Sequence, residues 1–480
     1  MTATLAVCAC STAPPYALPP VPLAEQYKEA AGHPEWTPAT PDDALPRGPW
    51  WTAYRDDKLD ALAAQLEQNS PELTAALARY EQAAAIAAQR RAPLFPSLSL
   101  NGQLQPNRGS DKRPPAGSDE RYYDNDTLGL QAAYEVDLWG RVRNGVVAGN
   151  ANLAAASATL ESARLSLRAQ LADQYIQLRD LDITIKLLAD AVDAYRRALD
   201  LTTQRQQAGI GSGLDVARAR TQLQTAKAQW QTSLGERAVL EHTIAALVGE
   251  SPSNFSIAPS TAKLSLPTIP IGLPSTLLQR RPDIAAAERR TSAASAELGI
   301  VRAAWFPRLT LGGSIGYQSY EHSDWFRAPN LFWSIGPALA LNLFDGGLRK
   351  ARIEQAHAVL DEAGASYRGT VLRAFAEVEN NLALLAHDRE AANEQAQAVD
   401  AARKAVDYAT IRYRHGAASY LEVTTAQTAA LQARREQLTI DTRRLRASVA
   451  LIRAFGGGWD AAEDPSVAGG SGAGPVAAQR

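Results

Sequence analysis

Two stretches of the chain alternate between apolar residues and residues that are small or polar. In the first, residues 127–139, every even position is apolar or aromatic, and the odd positions include Thr127, Gln131 and Glu135. The second stretch, residues 331–344, shows the same alternation. A period of two predicts β-strands with one apolar and one polar face. Both stretches are close to the roughly 9–11 residues of a tilted strand that crosses a membrane.

A helical period follows each of these strands. From Arg141 to about Gln207 apolar residues recur at alternating steps of three and four, which is typical of coiled-coil packing. The clearest part of this ladder is Leu178, Leu181, Ile185, Leu188, Val192, Tyr195 and Leu199. At about 1.5 Å per residue the helix is roughly 100 Å long. Glycine-rich residues 208–213 interrupt the period, and an antiparallel helix is expected over residues 214–248.

The second half of the chain resembles the first in order and spacing. The matched segments are 69–102 with 280–313 at an offset of 211 residues, 138–139 with 343–344 at an offset of 205, and 209–216 with 416–423 at an offset of 207. Because the order is kept and the offset changes little over about 180 residues, the sequence predicts an internal repeat.

The pattern divides the chain into consecutive segments. They are a partial signal and lipidation box (1–10), a proline-rich extended tether (11–58), a first repeat (59–252), a crossover (253–274), a second repeat (275–455) and a disordered tail (456–480). Each repeat is expected to contain a helix, a β-hairpin and a long helical hairpin. The β-hairpins are 97–139 and 309–344, and the helical hairpins are 141–248 and 347–455. Proline fixes φ and removes a hydrogen-bond donor, so the tether is not expected to be helical.

Composition and charge exclude several classes of protein. The chain has 480 residues and a formal net charge of −2, so it lacks the basic surface that nucleic-acid binding requires. It contains no run of about 18 apolar residues, so no transmembrane helix is predicted. The two cysteines, Cys8 and Cys10, lie together at the N-terminus and cannot form a disulfide framework.

Residues 5–12 resemble the lipidation box of a bacterial lipoprotein, in which a small residue precedes the acylated cysteine. Ala9 before Cys10 fits this pattern better than Val7 before Cys8, so Cys10 is the expected lipidation site. A complete signal peptide has a basic segment and a longer apolar core than this chain provides before Cys10. Two incidental cysteines in a frayed terminus are the alternative.

One chain supplies four amphipathic strands from its two hairpins. A closed barrel needs about eight strands, and the heptad seams of long helices need partner helices. Both requirements are met if several copies share one barrel of strands and one cylinder of helices. Two copies would give about eight strands with a filled lumen, and three would give about twelve strands with a water-filled bore. The pattern favours an oligomer and leaves both numbers open.

Four stretches resemble signature segments of TolC-like outer-membrane efflux proteins. They are residues 134–143 (YEVDLWGRVR), 278–284 (LQRRPDI), 303–309 (AAWFPRL) and 343–347 (LFDGG). The Cys10 box is most similar to that of the NodT-type lipoprotein branch, which serves RND-type pumps. The resemblance covers about residues 10–458. It implies a mixed α and β membrane protein, a homotrimer with a 12-stranded outer-membrane β-barrel continuous with a long α-helical coiled-coil barrel.

The resemblance also implies a function. Proteins of this family conduct drugs or other toxic solutes passively out of the cell, while an inner-membrane RND-type pump and a periplasmic adaptor protein do the work. The expected location is the outer membrane, with a lipid anchor and an extension into the periplasm. No cofactor is expected, and the partners are outer-membrane lipid and proteins, with no nucleic acid.

The tips of the two helical hairpins are the candidate sites. In the resembled family these tips constrict the periplasmic entrance and contact the adaptor. The corresponding residues here are the tip glycines Gly209, Gly213 and Gly416, the matched acids Asp215 and Glu422, and the apolar pair Tyr420 and Leu421. In a trimer each acid would form a ring of three carboxylates, although acids are also common in the first turn of a helix. Relatives often carry an acid where this chain has Thr425, so that further ring is absent.

Catalytic and metal sites are poorly supported. The six histidines are scattered, and the single Glu-x-x-His, Glu354 to His357, lacks the second motif that a di-metal bundle needs. The glycine-rich segment 209–213 follows a helix and lacks a Gly-Lys-Ser/Thr, so it is not a phosphate loop. We therefore predict no catalytic residue and no metal.

Four aromatic residues flank the loop between the last two strands: Trp325, Phe326, Phe332 and Trp333. Such residues form belts at membrane interfaces, and packing within the loop is the alternative.

Other functions are compatible with parts of the pattern. The chain could be the outer-membrane duct of a type I secretion or metal-efflux system, or a periplasmic coiled-coil scaffold without a pore. A helical-bundle enzyme is a third possibility. The alternating strands and the repeat argue against the scaffold, and the lack of a convergent polar cluster argues against the enzyme. The sequence does not identify the cargo.

Overall fold

A computed structural model of the protein describes residues 16–17, 20, 27–30, 49–108, 110, 122–267, 269, 280–319 and 324–457. The α-helices in these ranges are α1 (Asp57–Asn69), α2 (Pro71–Arg91), α3 (Arg141–Gln207), α4 (Gly213–Leu247), α5 (Pro282–Ala303), α6 (Leu348–Arg414) and α7 (Tyr420–Ala454). The strands are β1 (Ser97–Gln103), β2 (Pro106–Arg108), β3 (Tyr122–Asp124), β4 (Asp126–Val136), β5 (Arg308–Ser319) and β6 (Leu331–Ala340). None of the helices described here has the length and apolarity needed to cross a membrane. Cys10 and the tail after residue 457 lie outside the described residues.

The chain folds as two compact units, each formed from three segments. The first unit comprises Met1–Pro20, Tyr80–Ala156 and Ala286–Arg368, and the second comprises Val21–Arg79, Ser157–Ala285 and Gly369–Arg480.

The first unit contains a four-stranded antiparallel sheet with the strand order β1-β4-β5-β6. The two predicted hairpins do not stand apart, because β4 pairs with β5 along its whole length, from Asp126 opposite Ser319 to Val136 opposite Leu309. This pairing leaves β1 and β6 at the two edges of the sheet.

The register separates the sheet into an apolar face and a face of small or polar residues. Directly opposed residues share a face, so each row of opposed residues across the four strands lies on one face of the sheet. One such row is Leu100, Leu130, Ile315 and Trp333, and the next row is Ser99, Gln131, Ser314 and Ser334. Most residues of the apolar rows are exposed in the single chain, including Ile335 with 78% of its surface accessible.

Both long strands are shorter than the alternation predicts. The sequence predicts strands to residues 139 and 344, whereas β4 ends at Val136 and β6 ends at Ala340. After Val136 the backbone turns, and the Leu138 N–H donates to the Val136 carbonyl at 2.9 Å. The Trp139 ring stacks on Phe306 with 4.6 Å between centroids. The alternation of even positions reaches Leu138 in this turn, so the period of two extends past the last residue that pairs in the sheet.

The polar residues 105–126, which include Pro, Gly and Asp, predict an exposed loop between β1 and β4, but part of this segment forms strands. β2 and β3 pair antiparallel, with Arg108 opposite Tyr122. The Arg108 guanidinium lies 5.6 Å from the centroid of the Tyr122 ring, a cation–π contact that stabilises this small ladder.

Apolar residues at helical spacing over residues 59–91 predict one helix, but the structure has two. α1 ends at Asn69 and α2 begins at Pro71, and Ser70 between them has an extended backbone with ψ 120°. Proline disfavours a helical residue before it and is well placed as the first residue of a new helix. The Ser70 carbonyl then accepts the Thr74 N–H at 3.0 Å, which starts α2.

The described parts of the predicted tether are not uniformly extended. Lys28–Ala30 and Trp50–Tyr54 form short 3-10 helices. Trp50 and Trp51 contact each other edge to face, with 5.8 Å between centroids. The Tyr27 ring is buried against Phe455, with 6.2 Å between centroids. Aromatic side chains thus fix this segment to the second unit, where backbone propensity alone predicts an extended chain.

The second unit is a helical core. The ladder predicted along α3 is buried in part, with Val192 and Tyr195 packed against Leu223 of α4. The segment 251–267 after α4 contains no helix or strand.

Candidate functional site

The first helical hairpin ends α3 with a left-handed glycine. Gly209 has φ +73°, a conformation that costs glycine little. The Gly209 N–H donates to the Gln206 carbonyl at 3.0 Å, and the Ile210 N–H donates to the Arg205 carbonyl at 3.0 Å. This pair of hydrogen bonds is the Schellman motif, which satisfies the last carbonyls of a helix.

The returning helix of the first hairpin begins at Gly213. Ser212 precedes it with an extended backbone, and its Oγ accepts the Leu214 N–H at 3.1 Å. Serine at this position satisfies one of the free N–H groups of the first turn. The structure thus places Gly213 in α4 and Gly209 in the turn.

The second hairpin ends its first helix in the same way. Gly416 has φ +72°. Its N–H donates to the Tyr413 carbonyl at 3.1 Å, and the Ala417 N–H donates to the Arg412 carbonyl at 2.9 Å. α7 then begins at Tyr420, seven residues after Tyr413.

The two tips contact each other through Arg205 and a tyrosine pair. Arg205 Nη1 donates to the Tyr413 carbonyl at 3.0 Å, and its guanidinium lies 4.8 Å from the centroid of the Tyr413 ring. The Tyr413 and Tyr420 rings are 5.5 Å apart. Ala219 of α4 and Val423 of α7 complete the buried cluster. Hydrogen bonding, cation–π contact and apolar packing therefore hold the hairpins together at their ends.

The matched acids lie in different surroundings. Glu422 lies 3.5 Å from Arg412 Nη1 at an exposed position, where such a pair contributes little to stability. Asp215 is half-buried in the first turn of α4. Burial raises the pKa of Tyr413, the Arg205 charge lowers it, and the charge of Asp215 raises it. Asp215 therefore acts electrostatically on the tyrosine pair, whereas Glu422 is bound to its own hairpin.

Tyr420 and Leu421 are separated by the fold. Tyr420 is 1% exposed and Leu421 is 49% exposed. Because neighbouring residues of a helix point about 100° apart, one enters the tip cluster and the other faces outward. Ile210 and Leu214 of the first tip are also exposed. The single chain therefore presents Leu421, Ile210 and Leu214 as apolar groups on the tips.

Two residues of the tip were not identified as site residues from the sequence. Arg205 lies in the last turn of α3, where a basic residue is common and gives no special signal. Tyr413 lies at a heptad position of the second long helix, and this spacing predicts only a residue that packs in the seam of the coiled coil. Their contact joins positions 208 residues apart in sequence, so only the fold reveals it.

The histidine of the Glu-x-x-His sequence has an ordinary contact. His357 Nε2 lies 3.2 Å from Arg302 Nη2, within hydrogen-bond distance. Across the part of the chain that the structure describes, no group of three or more His, Cys, Asp or Glu side chains is placed to hold a metal ion.

Comparison with known protein families gives a match in both halves of the chain. The family model described as outer membrane efflux protein matches residues 62–250 and 273–457. The pyoverdine export outer membrane protein OpmQ of Pseudomonas putida is 34% identical over 472 residues, which cover 95% of this chain and 96% of OpmQ. The outer membrane protein OprJ of Pseudomonas aeruginosa is 32% identical over 94% of both chains.

Solved structures show the same fold. The outer-membrane channel OprN superposes with a TM-score of 0.86 and 31% identity, covering 94% of this chain and all of OprN. The Campylobacter jejuni CmeC outer membrane channel superposes with a TM-score of 0.89 at 23% identity, covering 96% of this chain and 97% of CmeC.

Proposed function

The chain belongs to the outer membrane efflux protein family, and from this premise we propose that three copies form the outer-membrane channel of a tripartite efflux system. In this assembly the chain conducts solutes passively, while an inner-membrane RND-type pump and a periplasmic adaptor deliver them. The observation that carries the proposal is the family match over both halves, residues 62–250 and 273–457. A non-enzymatic role agrees with this family of channels and efflux proteins.

The sheet of the first unit supports a shared barrel. Among the described strands, β1 and β6 each have a strand neighbour on one side only. An exposed edge with a large apolar face is an aggregation hazard unless something covers it. Pairing β6 of one copy with β1 of the next closes three sheets into a wall of twelve strands. The apolar face then contacts outer-membrane lipid, and the face of small and polar residues lines a wet bore.

Helix ends in the second unit support an internal repeat. Gly249 and Gly456 both follow a returning helix with positive φ, 78° and 83°. A Cβ at Gly249 would collide with the Asn69 carbonyl oxygen, and a Cβ at Gly456 would collide with that of Arg280. These four residues are matched at the offsets of the two sequence halves. The same close approach therefore recurs in each half.

The hairpin tips are the proposed periplasmic entrance. In a trimer, Asp215 and Glu422 give two rings of three carboxylates, which favour cations and oppose closure by like-charge repulsion unless pairing with basic residues at the entrance offsets it. Leu421 supplies the apolar part of the constriction, and Ile210 and Leu214 are the proposed adaptor contacts. Tyr420 is expected to line the constriction on sequence grounds, but because its side chain is buried we assign it the role of supporting Leu421 from behind.

The cargo proposed is a class of small toxic solutes. The relative OpmQ is named for pyoverdine export, and the Pseudomonas putida relative TtgF is named for toluene efflux. A lipid anchor at Cys10 would hold the N-terminus at the membrane; it is tested by mass spectrometry of the N-terminal peptide in wild type and Cys10→Ala.

The channel is tested by reconstitution of the purified protein in planar lipid bilayers. The wild type is expected to give discrete ion-conducting steps. Asp215→Ala with Glu422→Ala is expected to increase the open probability, because two rings of charge that pair with basic residues at the entrance are lost. Asp190→Ala with Asp193→Ala is the matched control, since these acids lie exposed along α3.

The outcomes separate the parts of the proposal. Absence of any conducting step would overturn the channel itself and favour the scaffold without a pore. Conducting steps that are unchanged in Asp215→Ala with Glu422→Ala would overturn only the entrance. Loss of resistance to antibiotics and dyes, but not to metal ions, in a deletion strain would support drug efflux over metal efflux.

A further inference from the structure

The polar face of the sheet carries one large apolar side chain. The register gives the residues on this polar face strand by strand. They are Ser97, Ser99, Asn101 and Gln103 in β1; Thr127, Gly129, Gln131, Ala133 and Glu135 in β4; Arg308, Thr310, Gly312, Ser314, Gly316 and Gln318 in β5; and Phe332, Ser334, Gly336, Ala338 and Ala340 in β6. Within these strands Phe332 is the single aromatic residue on this face. Trp333 beside it lies on the apolar face, so the two cannot belong to one aromatic belt.

Two glycines lie in the row of Phe332. Phe332 is directly opposite Gly316, and Gly316 is directly opposite Gly129. A Cβ at Gly316 would lie 2.6 Å from the Gly129 Cα, so no side chain fits there. The pair therefore forms a shallow recess in the face, two strands wide.

The Phe332 ring occupies this recess. Its Cζ lies 3.4 Å from the position that a Cβ of Gly129 would take. Neighbouring strands are about 4.8 Å apart, so the side chain reaches across Gly316 to the second strand. Only a side chain that lies along the sheet can do this. Phe332 is accordingly half-buried, with its ring extending over the glycine backbone.

We propose that Phe332 is a contact site for planar aromatic solutes near the outer end of the channel. The inference rests on the proposed function, in which this face lines the bore. Phe332 is the second residue of β6, at the end where β5 passes to β6 and opposite the end from which α6 leaves. A trimer places three such rings around the outer part of the wall.

The chemistry of the wall makes this position different from its surroundings. Serine, threonine and glutamine on the neighbouring rows present hydrogen-bonding groups to water, and the two glycines in the row of Phe332 present bare backbone. An aromatic face stacks with planar rings and attracts cations through its quadrupole. Because the ring lies flat, it adds this contact without narrowing the bore.

The test uses ethidium, a planar aromatic cation, added on the loop side of the channel in planar bilayers. The mean duration of ethidium blockades is expected to fall about 2- to 10-fold in Phe332→Ala, since a stacking contact is lost. Phe332→Trp is expected to restore long blockades. Trp333→Ala is the matched control, because Trp333 is the next residue and lies on the opposite face.

A second variant tests the recess. Gly129→Ala adds a methyl group 3.4 Å from Phe332 Cζ and 3.2 Å from the Ile315 carbonyl oxygen. The ring is the group that can move, so it is expected to rise into the bore and lower the open-channel conductance. The double variant Gly129→Ala with Phe332→Ala is expected to regain the wild-type conductance.

The possible results are distinct from those for the channel itself. Wild-type protein that conducts but shows no blockade dependent on Phe332, or equal shortening in Trp333→Ala, would overturn the contact site. Unchanged conductance in Gly129→Ala would overturn the flat placement of the ring. Protein without any conducting step would instead overturn the proposed function.

Discussion

Buried charges in the second unit are held by several partners each. The Asp182 side chain, 1% exposed, accepts from Arg237 Nε at 2.7 Å. Its other oxygen accepts the Ser260 backbone N–H at 2.9 Å. Arg237 also donates to the Ile257 carbonyl at 2.5 Å. The irregular segment 251–267 is therefore attached to α3 and α4 by charge-assisted hydrogen bonds.

Removal of one partner of this network is expected to be costly. Arg237→Ala leaves the buried Asp182 carboxylate without its hydrogen-bonded cation, with Arg179 remaining 3.9 Å away, and the free energy of unfolding is expected to fall by about 3–5 kcal/mol. Arg196→Ala, which removes an exposed ion pair with Asp193, is expected to cost at most about 1 kcal/mol. Guanidinium unfolding of both variants measures the difference, and equal costs would contradict the role of the buried pair.

Asp180, a half-buried acid of α3, gives the free energy of unfolding a pH dependence opposite to that of an acid whose pKa is lowered by folding. Burial raises the pKa of Asp180, the charge of Asp441 raises it further, and a hydrogen bond from Thr442 at 2.8 Å opposes them. A raised pKa in the folded state means that ionisation destabilises the fold. This contribution is favourable below the ordinary pKa of aspartate and is lost as pH rises through the raised value.

Asp180→Asn is therefore expected to stabilise the protein at pH 7. The amide keeps an acceptor for Thr442 but cannot ionise. The advantage over wild type is expected to disappear below about pH 4, where the wild-type acid is neutral as well. Thermal unfolding at pH 7 and pH 3.5 measures it, with the exposed Asp190→Asn as control. A larger advantage at the lower pH would have the wrong sign.

At the scale of elements, glycines end the long helices. Gly209 and Gly416 adopt left-handed conformations in matched Schellman motifs. The sequence alone predicts these ends, because glycine after a long helical period is the usual stop. The break at Ser70 was missed, because the helical period continues through it and only Pro71 marks it.

Alanine substitution is expected to have opposite effects at two glycines of the first hairpin. At Gly209, alanine must adopt positive φ, and stability is expected to fall by about 1–2 kcal/mol. At Gly235, inside α4, no atom lies within 4 Å of an added Cβ, and alanine is expected to stabilise by about 0.5–1 kcal/mol. Chemical denaturation compares the variants. Destabilisation at both positions would show that Gly235 contacts another copy.

At the scale of the whole molecule, the repeat predicts how copies join. Within the chain, Tyr134 of β4 is opposite Leu311 of β5. The offset of 205 residues takes Tyr134 to Leu339 of β6, and the offset of 211 residues takes Leu311 back to Leu100 of β1. If three copies close one wall, Leu339 of one copy is therefore expected to lie opposite Leu100 of the next.

Cysteine pairs test this seam. Leu100→Cys with Leu339→Cys is expected to form disulfide-linked trimers on oxidation, because opposed strand residues have the Cα separation that a disulfide needs, about 4.4–6.8 Å. The control pair is Leu100→Cys with Trp333→Cys, in which both cysteines lie on the same face of the sheet but are not directly opposite each other. This variant is expected to form no disulfide and to stay monomeric in denaturing gels. Cross-linking of the second pair alone would contradict the predicted register.

The sequence by itself determined the hydrophobic periods of the long strands and helices. Alternation of two gave β4 and β6, and steps of three and four gave α3 and α6, because these patterns reflect hydrogen bonding between near neighbours and the choice of one face. The motifs also identified the family, which both halves of the chain match.

Only the tertiary structure decided which distant residues meet. The pairing of β4 with β5 turned two predicted hairpins into one sheet. Contact between Arg205 and Tyr413, burial of Tyr420, and the placement of Phe332 over two glycines all join segments far apart in the chain. A local period shows on which face of a helix or strand a side chain lies. The residue that it contacts on that face is set by long-range packing, which the sequence pattern does not show.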